Sequence, residues 1–79
     1  MPTNDEYRRG FIDGAVMCGA TLEEARWAAE ADMGGARVIR DEFRASGDER
    51  YIPMLQHFVA EARMWSQIAR RVISQNRME

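Results

Sequence analysis

The sequence predicts an all-α fold, a small bundle of three to four helices with a long amphipathic C-terminal helix. Three observations carry this expectation. Apolar residues recur at spacings of three and four through most of the 79-residue chain, the period of a helix with one buried face. Clusters of glycine and small polar residues at 19–21 and 46–48 punctuate that period. No segment alternates apolar and polar residues as a half-buried strand does.

The first helix is expected over 5–18. Asn4 and Asp5 are good N-cap residues, because their side-chain oxygens accept the unpaired N–H groups of a first turn. Tyr7, Phe11, Ile12, Ala15, Val16 and Cys18 fall mostly on one side, and Gly19 supplies the stop. Gly10, Gly14 and Cys18 are spaced by fours. Such a ridge of small side chains suits the seating of a bulky neighbour such as Trp65, and a lone cysteine on an apolar face reads as a small core residue.

The second helix is expected over 22–33. In Thr21-Leu22-Glu23-Glu24 the Thr21 side chain can accept the Glu24 N–H while the Glu24 side chain reaches back, the capping-box arrangement. Leu22, Ala25, Ala29 and Met33 form its apolar stripe. Two adjacent glycines, Gly34 and Gly35, cost ~2 kcal/mol relative to alanines inside a helix, so a kink or break is predicted there. A shorter helix over 36–45 follows, with Ala36, Ile39 and Phe43 on one face, and Ser46-Gly47-Asp48 ends it.

The last helix is expected over 53–75, with Pro53 in a first turn, where its missing N–H is not needed. Leu55, Phe58, Val59, Ala62, Trp65, Ala69, Val72 and Ile73 fall in one arc; Gln56, Arg63, Gln67, Arg70 and Ser74 fall opposite. Leu55, Ala62 and Ala69 repeat every seven residues, as do Phe58, Trp65 and Val72, which is a heptad pattern. The expected core comprises Phe11, Ala15, Leu22, Ala29, Ile39, Phe43, Leu55, Phe58, Val59, Ala62, Trp65 and Val72. A chain this short buries a modest core, and its single cysteine allows no internal disulfide. Self-association is the remaining supplement. A homodimer is therefore expected, built partly on the last helix with Met64 and Ile68 on its flank.

Hydrophobic residues make up 46% and charged residues 30%, the balance of a folded domain. The chain reads as one domain over residues 1–79. Its polar, acidic opening and its lack of a ~20-residue apolar run point to a cytoplasmic protein with no membrane span. All eleven basic residues are arginine and alanine is equally frequent. Both have GC-rich codons, which points to a bacterium or a phage growing in one. Net charge is −2, distributed as −1 over residues 1–20, −4 over 21–49 and +3 over 50–79.

Catalytic signatures are missing: the chain has no Gly-x-Ser-x-Gly, no phosphate-binding glycine loop and no dinucleotide fingerprint. One cysteine and one histidine do not make a zinc site. His57 and Glu61 read as a surface pair. No catalytic site, metal or cofactor is expected. Trp27 is the residue that points to function. It lies about 140° from Leu22 on the helical wheel, away from the apolar stripe. With Glu23, Glu24 and Glu30 around it, it has the character of an interface anchor, because tryptophan is enriched among binding hot spots.

The expected function is a non-enzymatic protein-binding module. By size and composition its specific form is a phage or mobile-element inhibitor of a host protein complex, anti-defence and anti-CRISPR-like. The alternative is a small dimeric DNA-binding or antitoxin-like regulator using a basic surface of Arg63, Arg70, Arg71 and Arg77. The junction around Gly19 partly fits a helix-turn-helix, yet its second helix carries Glu23, Glu24 and Glu30 against Arg26, which phosphates would repel.

Overall fold

Thr21 adopts extended backbone and its hydroxyl accepts the Glu24 N–H at 3.1 Å, so the predicted N-cap begins a helix at Leu22. A computed structural model describes residues 4–78, with side-chain surroundings for 5–77. Three helices make up the described residues: α1, Asn4–Met17; α2, Leu22–Ser46; and α3, Tyr51–Met78. The chain is an all-α bundle.

The predicted break at Gly34-Gly35 does not occur; α2 runs through it for 25 residues. The reason is tertiary. A Cβ on Gly35 would stand 2.8 Å from Phe58 Cε1, so the glycine admits the α3 ring against the α2 backbone. Packing on α3 outweighs the ~1 kcal/mol propensity cost of each glycine.

α2 ends at Gly47, whose positive φ of 67° is the left-handed cap that glycine tolerates. The next turn sets where α3 begins. The Asp48 carboxylate accepts the Arg50 backbone N–H at 3.0 Å and three guanidinium contacts at 3.0, 2.9 and 2.6 Å, two of them shared by Nε. Both sets of bonds hold Asp48 below the usual carboxylate range, the side-chain bonds more strongly. α3 consequently starts at Tyr51, two residues before the expected Pro53, and the proline falls within its first turn.

α3 is the hub: α2 packs along it, and α1 lies against α3 and not along α2. The buried apolar residues are Ile12, Ala25, Ala36, Ala62, Met64, Ile68 and Val72, with Ile68 fully enclosed. The expected core is corrected in detail. Ala62 and Val72 are buried, whereas Phe11, Ala15, Leu22, Ala29, Ile39, Phe43, Leu55, Phe58, Val59 and Trp65 are half-buried. Met64 and Ile68, expected on a dimer flank, instead sit at the centre of the core with Ile12 and Ala25. They are buried because α1 covers that side of α3. The Gly10 and Gly14 ridge seats nothing: no atom lies within 4 Å of a Cβ at either position. Trp65 packs edge-on against Phe11 instead, with ring centroids 5.5 Å apart. Cys18 is exposed, because α1 ends one residue before it.

The molecule measures 50 × 31 × 15 Å, little more than one helix diameter thick. Its radius of gyration is 14.7 Å. A compact chain of this length has about 12 Å. No described helix is long and apolar enough to cross a membrane.

Candidate protein-binding site

α2 presents two faces, one packed on α3 and one exposed. Leu22, Ala25, Ala29, Asp32, Ala36, Ile39 and Phe43 follow a three-four spacing, and all are buried or half-buried. On the opposite side of the same helix, Trp27, Ala31, Gly34 and Val38 follow a second spacing of four, three and four. Trp27 is 72% exposed and Val38 61% exposed. Continuous helix through Gly34 is what aligns these four positions into one stripe.

The structure places the sequence-expected residues as follows. Trp27, Glu23 and Glu30 line one shallow depression of about 500 Å³ with Leu22 and Arg26. Glu24 is not part of it. It sits in the first turn, where its backbone N–H is engaged by Thr21. The acids on either side of Trp27 are matched further along, because Arg37 and Arg44 lie seven and fourteen residues after Glu30, on the same flank of the helix. Ala31 was expected beside Trp27; Val38, Gly34, Arg37 and Arg44 were not expected here. Their signal was present as heptad spacing, but a helix broken at residue 34 divides the stripe in two and hides it.

The alternative basic surface is only partly assembled. Arg63 and Arg70 share a groove with Met33 on the open side of α3. Arg71 is committed to an ion pair with Asp13 of α1, so its charge is spent on holding that helix. Arg77 lies in the last turn of α3. The packing of α1 on α3 rather than along α2 also departs from a helix-turn-helix, whose two helices pack on each other.

His57 and Glu61 are 3.6 Å apart on the surface of α3, as expected of a pair four residues apart. Asp32 of α2 faces Glu61 across the helix interface. The Glu61 carboxyl is pushed above its ordinary range, first by burial and then by the charge of Asp32 and a hydrogen bond to it, with His57 opposing. Among the described residues, no group of three or more metal-ligating side chains converges. In comparisons with known proteins, this chain matches no protein-family model, no curated sequence and no solved structure.

Proposed function

We propose that the protein is a non-enzymatic binding module that engages another protein through the outer face of α2, with Trp27 as the anchor. One observation carries this reading: a tryptophan 72% exposed on a regular helix, turned away from the core and rimmed by Glu23 and Glu30. Leaving an indole in water forgoes the large apolar stabilisation its burial offers, and desolvating it on a partner recovers that term. Tryptophan is also among the residues that dominate binding energy when covered.

The small size, acidic balance and arginine-only basic set favour a phage or mobile-element inhibitor of a host protein complex as its specific form, acting in the bacterial cytoplasm. The test is affinity capture from bacterial host cells with tagged wild type and tagged Trp27→Ala, read by mass spectrometry. A host complex retained by the wild type and lost by the variant supports the reading. Identical captured sets from two equally helical proteins would overturn it.

A further inference from the structure

We propose that the outer face of α2 pairs with the same face of a second copy, antiparallel, about a two-fold axis passing between Asp32 and Met33. The inference rests on reading that face as a protein-binding surface, and names a second copy as its occupant in the free protein, which a host complex would have to displace.

The stripe is self-complementary in shape. About that axis Trp27 meets the partner's Val38, and Ala31 meets the partner's Gly34, with each pair repeated by symmetry. Large side chains thus lie at both ends of the contact and small ones at its centre. Gly34 supports the point. Gly35 is explained by Phe58, but a Cβ on Gly34 would meet no atom within 4 Å. Nothing among the described residues of its own chain accounts for a second helix-weakening glycine, whereas the close approach of another helix backbone does.

The stripe is also self-complementary in charge. Glu23, Glu30, Arg37 and Arg44 repeat every seven residues along one flank, acids first and bases after. In an antiparallel pair Glu30 comes opposite the partner's Arg37, and Glu23 opposite the partner's Arg44, four ion pairs in all. A parallel pair would lay the two acidic N-terminal halves side by side. None of these four side chains is in an ion pair within the described residues of its own chain. The stripe closes on acids at both ends, because the same register sets Glu24 opposite the partner's Asp41, which its own Arg40 approaches at 3.5 Å.

The chain as a whole exposes more surface than a compact monomer does. The chain exposes 6212 Å². A compact monomer of this mass exposes about 4,900 Å², leaving an excess of roughly 1,300 Å². A stable interface covers about 800 Å² on each partner. α2 is ~37 Å long, lies at an edge of the slab and presents this face away from α3.

The test is light scattering on size-exclusion chromatography at about 50 µM, with wild type, Glu30→Arg, Arg37→Glu and an equimolar mixture of the two variants. Wild type is expected near 18 kDa, twice the chain mass. Each variant alone sets like charges opposite one another at two symmetric sites and is expected to associate at least tenfold more weakly. The mixture restores an acid opposite a base at both sites and is expected to recover the dimer. A wild type at 9.1 kDa, variants that dimerise like wild type, or a mixture that stays monomeric while its components are helical would each overturn the proposal. A monomeric wild type whose capture of a host complex depends on Trp27 sinks the dimer and leaves the binding module standing. A dimer rescued by mixing, with no Trp27-dependent host protein, supports the dimer, keeps the face a protein-binding surface and overturns only the host complex as its partner.

Discussion

The ring of Phe58 on α3 rests against Gly35 of α2, where an added Cβ would stand 2.8 Å from Cε1 and 3.0 Å from Cδ1. This contact keeps α2 and α3 close. Gly35→Ala is therefore expected to lose about 1–3 kcal/mol to overpacking, despite a helix-propensity gain of about 1 kcal/mol. Phe58→Leu in the same chain should relieve much of that loss. Urea unfolding of the two single variants and the double variant measures the coupling; a Gly35→Ala protein as stable as wild type would show that the ring moves aside freely.

Ile68 and Trp27 should respond in opposite ways. Ile68 of α3 is fully enclosed in the cluster with Ile12 of α1 and Ala25 of α2, so Ile68→Ala is expected to cost about 3 kcal/mol and lower the melting temperature sharply. Trp27→Ala removes a side chain that packs on nothing in its own core, and its far-ultraviolet circular dichroism should match wild type. A Trp27→Ala chain that loses its helical signal would place Trp27 in the fold rather than on the binding face.

Glu61 makes stability depend on pH. Its carboxyl is raised by burial and by Asp32, so the folded state disfavours its ionised form. A raised acid contributes stability that is present below its unfolded value and lost as pH rises through the folded one. Glu61→Gln should consequently melt higher than wild type near about pH 7, with the gain disappearing as the pH falls toward about 4. Asp48 behaves in the opposite sense. Its lowered value contributes stability at neutral pH that is lost in acid, so Asp48→Asn should melt lower near neutrality and match wild type at low pH. Thermal melts across that range decide both.

The regulator reading has its own check. With Arg71 paired to Asp13, the basic surface reduces to Arg63 and Arg70 in one groove, with Arg77 in the last turn of α3. Fluorescence anisotropy with duplex DNA at about 150 mM salt should show no saturable binding, because so few phosphate contacts do not survive screening. Saturable binding abolished by Arg63→Glu with Arg70→Glu would establish the DNA-binding alternative in place of the module.

Local chemistry determined much of this protein without reference to tertiary contacts. Thr21 caps α2, Gly47 ends it, and the heptad spacing of Leu55, Phe58, Ala62, Trp65, Ala69 and Val72 marks the side of α3 that packs, because capping, turn geometry and helical period act over a few residues. The surface position of Trp27 followed from the same period. Tertiary structure decided what local rules cannot weigh. Gly34 and Gly35 weaken a helix in isolation, yet the Phe58 ring against Gly35 makes that glycine an advantage and carries α2 through. Met64 and Ile68 look like a flank on the wheel, and only the docking of α1 turns them into the centre of the core. The stripe from Trp27 to Val38 exists as one surface only because that helix is unbroken. A preference of about 1 kcal/mol per residue is legible one residue at a time, whereas close packing between distant segments outweighs it and depends on where the whole chain goes.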